Sequence, residues 1–254
     1  MKNLILLFLL LPVALLAQET EAERRYRESQ KTEVYSPVPA YVAPGWQLGQ
    51  PPADAVVLFD GTSMEHFESA KTDDGQPSPW TLTEHGSMMV KPGAGDIRTK
   101  RGFQDVQLHL EWKSPVDTSG LEGQARANSG VFFQGLYEVQ ILDNYRNPTY
   151  TNGQAGSIYK QHIPLVNPIR PPGEWNTYDI VFTAPRFSAD GSVDTPGYLT
   201  VLFNGVLVQN HAEIRGETVW IGAPKYTAHA DKLPIQLQDH GNMVQYRNIW
   251  LREL

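Results

Sequence analysis

The feature that most constrains the fold is the recurrence of short β-rich segments between clusters of Gly, Pro and Asp. No long amphipathic helical pattern separates these segments. Strands that follow one another without intervening helices indicate a β-sandwich or a β-barrel. The predicted strands are Val56–Phe59, Trp80–Thr83, Ser87–Val90, Val106–Lys113, Ser129–Phe133, Tyr137–Leu142, Trp175–Ala184, Tyr198–Phe203, Val206–Asn210, Ile235–Gln238 and Val244–Leu251.

The chain is predicted to have three parts. Residues 1–17 have a basic start, an apolar stretch of about 13 residues and a small residue at the end, which is typical of a signal peptide and too short for a membrane span. Residues 18–54 read as an extended Pro-rich leader, in which a short helix around Glu21 to Gln30 is an alternative for the first part. Residues 55–254 form one predicted domain. We therefore expect an exported protein, periplasmic or at the cell surface.

Composition narrows the classes of function. The chain of 254 residues has no cysteine, which excludes disulfides, a thiolate nucleophile and cysteine metal clusters. A net charge of −7 and the lack of any Lys/Arg-rich run argue against nucleic-acid binding or binding to anionic lipid. No later segment is apolar enough to span a membrane. The expected partner is a neutral small molecule or a glycan.

Two predicted strands present polar residues on one face. Because strand side chains alternate, Gln107, His109, Glu111 and Lys113 share the face opposite the apolar residues of Val106–Lys113. In Tyr137–Leu142, Glu138 and Gln140 share a face in the same way. Such faces are either solvated sheet surfaces or places where amides and carboxylates bind sugar hydroxyls.

A series of ordered motifs resembles the 3-keto-disaccharide hydrolase domain family over about residues 55–254. The motifs are Leu58–Thr62, Asn128–Phe133, Tyr137–Asp143, Gly156–Tyr159, Glu174–Tyr178, Asn204–Val206, Leu237–Gly241 and Tyr246–Ile249.

This resemblance implies an all-β fold, a concanavalin A-like jelly roll of two antiparallel sheets with a concave face for carbohydrate. It also implies cleavage of 3-keto-glycosides by elimination across C1 and C2, followed by hydration of the unsaturated product. A carbonyl at C3 acidifies the C2 hydrogen, so the reaction needs a base, a group that stabilises the enolate and an acid for the leaving group. No nicotinamide is required; a divalent metal is an open possibility, because it can polarise the carbonyl.

The residues assigned to this chemistry divide into three groups. The candidate catalytic residues are His240, Glu138 and Asp239. The candidate substrate-binding residues are Gln140, Glu111, Asn128, Tyr159, Gln238 and Arg247. The candidate metal ligand is Asp143.

Each candidate has a structural alternative. Glu138 and Gln140 can belong to a solvated face, His240 and Asp143 can be turn residues, and Arg247 can form a structural salt bridge. Trp112 and Trp175 are interpreted as core residues. Paired carboxylates typical of retaining glucanases are absent, since an amide stands at Gln140.

Two classes of function remain open at this stage. One is an enzyme that cleaves 3-keto-glycosides, and the other is a non-catalytic glycan-binding module on the same fold. A carboxyl or imidazole with a perturbed pKa inside the cleft would favour the enzyme.

Overall fold

The computed structural model describes residues 19–254, and the predicted signal peptide at residues 1–17 lies outside them. The described residues divide into two compact units, with the boundary between residues 41 and 42. In the described part of the first unit, helix α1 spans Glu21–Gln30. It starts with a capping box in which the Thr20 hydroxyl accepts from Glu23 N–H and the Glu23 carboxylate accepts from Thr20 N–H. None of the helices within residues 19–254 has the length and apolar character needed to cross a membrane.

The second unit is built almost entirely from short strands. They are β1 Val56–Phe59, β2 Phe67–Ser69, β3 Thr81–Leu82, β4 Met88–Met89, β5 Ile97–Phe103, β6 Val106–Lys113, β7 Ser129–Phe133, β8 Tyr137–Ile141, β9 Asn176–Thr183, β10 Arg186–Phe187, β11 Val193–Thr195, β12 Tyr198–Phe203, β13 Val206–Glu213, β14 Leu233–Leu237 and β15 Gln245–Glu253. Two 3₁₀ turns, Gly123–Ala125 and Thr151–Gly153, lie in the loops.

The strands form two antiparallel sheets and a small ribbon. The larger sheet has the order β13-β12-β9-β6-β15-β4-β3, with β1 also paired to β15. The five-stranded sheet has the order β2-β5-β14-β7-β8, and β10 pairs with β11. The fold is therefore the all-β two-sheet sandwich that the sequence predicted.

Aromatic side chains fill the space between the sheets. Phe133 of the smaller sheet stacks on Phe182 of the larger one, with 4.7 Å between ring centroids. The buried Tyr178 hydroxyl in β9 donates to the Gln140 carbonyl in β8 at 2.7 Å. This bond matters because an unpaired hydroxyl at this depth would cost free energy. Trp112 is fully buried and packs against Tyr178, as its interpretation as a core residue required.

Asn204 and Gly205 form the hairpin turn between β12 and β13. Both residues have positive φ, 51° and 76°, and Phe203 pairs with Val206 across the turn. Glycine suits this turn because it adopts positive φ without steric cost. Strands β2, β5, β10 and β11 were not predicted. Strand β5 carries Arg98, Lys100 and Arg101 within seven residues, a composition atypical of strands.

Candidate functional site

A cavity of about 510 Å³ opens on the outer face of the five-stranded sheet, around β7 and β8. That volume lies in the range of small-molecule sites. Glu138 and Gln140 come from β8, and Gln238 and His240 follow the end of β14. The lining residues are Gln124, Asn128, Phe132, Glu138, Gln140, Tyr150, Tyr159, Thr218, Trp220, Gln238 and His240.

The cavity brings together six residues that the sequence analysis assigned to a site. They are Glu138, His240, Gln140, Asn128, Tyr159 and Gln238.

Glu138 is a buried carboxyl in this cavity. Its residue is only 4% exposed, so the polar face of β8 is not a solvated sheet surface. Burial raises the pKa of Glu138 to about 8, and the negative charge of Asp96 adds to the rise. The carboxyl therefore carries a proton at neutral pH and can donate it.

The neighbours of Glu138 fix the orientation of its carboxyl group. With its NH₂ turned toward β7, the Gln140 amide donates to Glu138 Oε1 and to the Ser129 carbonyl, both at 2.8 Å. A β-carbon at Gly130 would lie 2.6 Å from Glu138 Oε1, so a larger residue would have to displace the Glu138 carboxyl. Glycine at residue 130 therefore leaves room for the carboxyl in its observed position.

His240 lies in an exposed turn that is cross-braced to the loop before β5. The Asp239 N–H donates to Asp96 Oδ1 at 2.8 Å, and Asp239 Oδ2 accepts from Gly95 N–H at 2.8 Å. Asp239 Oδ1 accepts from Gly241 N–H at 2.9 Å. Both carboxylate oxygens of Asp239 are therefore engaged by backbone amides, and Asp239 is not a lining residue. The structure corrects its assignment: Asp239 holds the turn that presents His240.

Asp96 is an acidic neighbour of Glu138 that sequence reasoning missed. Its Oδ2 accepts from Gln236 Nε2 at 2.7 Å, and burial raises its pKa. Asp96 precedes the unpredicted strand β5 and contacts residues more than 130 positions away in the chain. Only the pairing of β5 with β14 brings these groups together.

We expect Asp96→Asn to lower the pKa of Glu138 below about 8, because the substitution removes the nearby negative charge. The new side chain still accepts from Asp239 N–H, and the Gln236 amide can turn to accept from the new NH₂. A ¹³C NMR titration of Glu carboxyls, with the Glu138 signal identified by its loss in Glu138→Gln, measures the shift. Asp60→Asn, at an exposed position, is the matched control. An unchanged Glu138 titration would mean that burial alone sets the pKa.

Two tyrosines form one side of the cavity. The hydroxyls of Tyr150 and Tyr159 lie 2.7 Å apart and share a hydrogen bond. Burial, this bond and nearby negative charge raise the pKa of Tyr159, so its hydroxyl stays protonated and can donate. Among the described residues, Gln238 Oε1 is buried without a hydrogen-bond partner. The cavity therefore offers hydroxyl donors to a polar ligand, and Gln238 lines it with a buried amide oxygen that has no partner in the described part of the chain.

Glu111 and Arg247 lie in the larger sheet, away from the cavity, so their assignment to the site is corrected. Glu111 Oε2 accepts from Arg247 Nε at 2.6 Å, and the Arg247 guanidinium stacks on Trp175 at 4.1 Å. Burial favours the neutral acid, but the nearby His109 ring and hydrogen bonds from Asn248 and Arg247 lower the pKa of Glu111 to about 2. This is a structural ion-pair network.

The face of β6 that carries His109 is also closed. His109 is 2% exposed, stacks on Trp250 and shares a 2.7 Å hydrogen bond with Asp179. Burial opposes its positive charge, yet Asp179 and Glu111 raise its pKa to about 9. The Gly49 carbonyl accepts from Asn248 Nδ2 and Trp250 Nε1, both at 2.8 Å, so the chain before β1 covers this face.

Asp143 does not suit a metal site. It is fully buried, its Oδ2 accepts from Arg126 Nε at 2.7 Å, and its Oδ1 accepts from Tyr145 N–H at 3.0 Å. A guanidinium at this distance neutralises the carboxylate that a cation would need. Across residues 19–254, no group of three His, Asp or Glu side chains has the arrangement of a metal site.

A second depression, of about 720 Å³, lies beside the segment that precedes β1. Its lining includes Trp46, Asp60, Arg247 and Asn248. Asp60 is exposed and accepts from the Thr62 hydroxyl at 2.6 Å, and Arg247 is paired with Glu111. With no buried carboxyl comparable to Glu138, this depression is the weaker candidate for catalysis.

Other cavity residues also escaped the sequence analysis. Trp220 is 73% exposed, and Ile221 beside it is 76% exposed. Two adjacent large apolar residues in the polar loop between Arg215 and Lys225 are a sequence pattern that indicates a ligand contact. Lys160 donates from Nζ to the Trp220 carbonyl at 2.6 Å, whereas the His162 ring hydrogen-bonds the Glu213 carbonyl.

Comparisons with known proteins agree with this architecture. The structure is similar to that of a proposed glycosyl hydrolase from Parabacteroides distasonis, at 50% identity and a TM-score of 0.83, over 89% of this chain and 96% of that one. Two other proposed glycosyl hydrolases from that organism are 19% and 23% identical, with TM-scores of 0.56 and 0.55. Both matches cover 79% of this chain; they cover 94% of the first of these proteins and 99% of the second. At this level of identity they show the fold alone.

No curated protein of similar sequence was found. The model of a family described as a 3-keto-alpha-glucoside-1,2-lyase-like domain matches residues 54–252. The chain therefore belongs to the 3-keto-alpha-glucoside-1,2-lyase-like family and is a carbohydrate-active protein.

Proposed function

We propose that this protein cleaves 3-keto-glycosides by elimination across C1 and C2, and that hydration of the unsaturated sugar follows. The observation that carries the proposal is a buried carboxyl, Glu138, whose raised pKa of about 8 keeps it protonated in the same cavity as the exposed imidazole of His240. An acid and a base in one cavity are what elimination requires.

The reaction proceeds in two bond-breaking steps. A base removes the C2 proton, and the electron pair of the C2–H bond forms an enolate with the C3 carbonyl. The enolate then re-forms the carbonyl while C1 and C2 become doubly bonded and the C1–O bond breaks. The leaving oxygen takes a proton from an acid. Addition of water across the new double bond gives the free 3-keto sugar.

In this proposal, His240 removes the C2 proton, since histidine is the side chain that most often acts as a general base. Glu138 gives its proton to the leaving oxygen. The Tyr159 hydroxyl, held by Tyr150 at 2.7 Å, donates to the developing enolate oxygen. Sugar hydroxyls bind Asn128 and the unsatisfied Gln238 Oε1. These roles need no metal.

We also propose that the protein works after export, in the periplasm or at the cell surface. The signal-peptide pattern of residues 1–17 supports this location. Fractionation of cells that produce the chain, followed by N-terminal sequencing of the product, tests it. Cytosolic protein that still begins at Met1 would contradict it.

The experiment that tests the activity uses a 3-keto-glucoside with a chromogenic aglycone. The purified protein should release the aglycone from the keto sugar and leave the unoxidised glucoside intact. We expect His240→Ala to slow release by about 10²–10⁴-fold, the usual effect of removing a general base. His85→Ala, an exposed histidine outside the cavity, is the matched control and should keep full activity.

Three other outcomes of this experiment would each contradict part of the proposal. Binding of both sugars without cleavage would replace the enzyme with a glycan-binding module. Cleavage of the unoxidised glucoside would indicate an ordinary glycosidase. A loss of activity with chelator would show that a metal takes part.

A further inference from the structure

The rim of the cavity carries an exposed aromatic side chain on a loop that is fixed at two points. Trp220 lines the cavity although 73% of its surface is exposed. On one side, the Lys160 ammonium donates to the Trp220 carbonyl at 2.6 Å. The same ammonium lies 5.5 Å and 5.7 Å from the ring centroids of Tyr150 and Tyr159. Cation–π contacts at these distances hold Lys160 in place.

The second fixed point is Thr218, two residues before the indole. Thr218 N–H donates to the Leu136 carbonyl at 2.8 Å, and its hydroxyl accepts from Glu138 N–H at 3.0 Å. The loop is therefore attached directly to the backbone of the residue that we propose as the acid. An apolar side chain held in water next to a cavity marks a binding surface, because exposure of so much apolar area is otherwise unfavourable.

We infer that Trp220 forms the subsite for the leaving group and that this subsite takes flat, apolar aglycones such as phenols. The inference rests on the proposed function, in which Glu138 protonates the oxygen between C1 and the aglycone. A group attached to that oxygen lies next to Glu138, and the Thr218 contact places the Trp220 loop beside the same residue.

The exposed apolar surface of the rim favours an aromatic aglycone over a second sugar. The Lys160 ammonium already donates to the Trp220 carbonyl, and the Thr218 oxygen already accepts from Glu138 N–H, although its O–H has no acceptor among the described residues. Ile221, the next residue, adds another exposed apolar side chain. A second sugar ring would need hydroxyl partners here, whereas a phenyl ring needs only the apolar surface and a π-face.

The test compares Trp220→Ala with the unmodified protein on 3-keto-glucosides that bear a phenyl, a methyl or a glucosyl leaving group. For the phenyl substrate we expect kcat/KM to fall about tenfold to thirtyfold, mainly through KM, as loss of one aromatic contact predicts. The methyl and glucosyl substrates should change by less than about threefold. Lys160→Met should reproduce part of the phenyl effect, because Lys160 positions the loop.

Tyr41→Ala is the matched control, since Tyr41 is an exposed aromatic residue that lines neither the cavity nor the second depression. Equal losses on all three substrates, or a larger loss on the glucosyl substrate, would overturn the inference. If the unmodified protein cleaves none of the three substrates, the proposed function fails. The subsite is then tested separately, by measuring the binding of glucosides. Calorimetry should then show that Trp220→Ala weakens phenyl glucoside relative to methyl glucoside, and equal weakening would contradict the subsite.

Discussion

Glu138→Gln is expected to reduce cleavage of a 3-keto-glucoside by about 10²–10⁴-fold, because the amide cannot give a proton to the leaving oxygen. The side chain keeps its size, and its carbonyl can still accept from the Gln140 amide. The loss should appear in kcat rather than KM, since a general acid acts in the transition state. Rates of aglycone release at saturating substrate measure it.

Glu111→Gln is the matched control for this result. Glu111 was assigned to the site by the same alternation argument as Glu138, but it lies in the other sheet. At temperatures well below the melting temperature of the variant, Glu111→Gln should cleave the 3-keto-glucoside at the rate of the unmodified protein. Equal losses in the two variants would contradict the assignment of the cavity as the active site.

The raised pKa of Glu138 also predicts a pH dependence of stability. The unfolded chain releases this proton near pH 4.5, whereas the folded chain keeps it to about pH 8. Between these pH values the folded state binds more protons than the unfolded state, so the contribution of Glu138 to the free energy of unfolding falls as pH rises. Above pH 8 the carboxylate destabilises the folded state by a constant amount. The melting temperature of Glu138→Gln, relative to the unmodified protein, should therefore rise from pH 4.5 to pH 8. A constant difference would show that Glu138 has an ordinary pKa.

Local patterns were sufficient to predict much of the fold. Alternation and β-branched or aromatic content located strands such as Val106–Lys113 and Ser129–Phe133 with the bounds that the structure has. The Asn204-Gly205 turn that joins β12 to β13 lies between two apolar runs, which is the sequence pattern typical of a hairpin. Strand β5 was missed because its charged residues do not resemble a strand, although Ile97, Thr99 and Phe103 point inward. Its place depends on pairing with distant β14, which no local window contains.

The site shows where alternation ceases to be informative. Alternation placed both Glu138 and Glu111 on faces that point away from the core. Glu138 faces the cavity, whereas Glu111 pairs with Arg247. What separates them is the material that covers each face. Residues such as Trp220 and Thr218 close the cavity over β8, whereas the chain around Gly49 covers β6. Such covering segments are loops, and their positions follow from tertiary contacts rather than from periodicity.

Asp143→Ala is expected to lower the free energy of unfolding by about 3–5 kcal/mol, because it removes one partner of a buried ion pair. Asp143 is fully buried, and Arg126, mostly buried, would lose its carboxylate at 2.7 Å and keep only the Tyr145 carbonyl. Urea unfolding measures the loss. The double variant Arg126→Leu, Asp143→Leu should recover much of it, since apolar pairs often replace buried ion pairs without penalty. A chelator should not change the midpoint of the unmodified protein; a drop with chelator would restore Asp143 as a metal ligand.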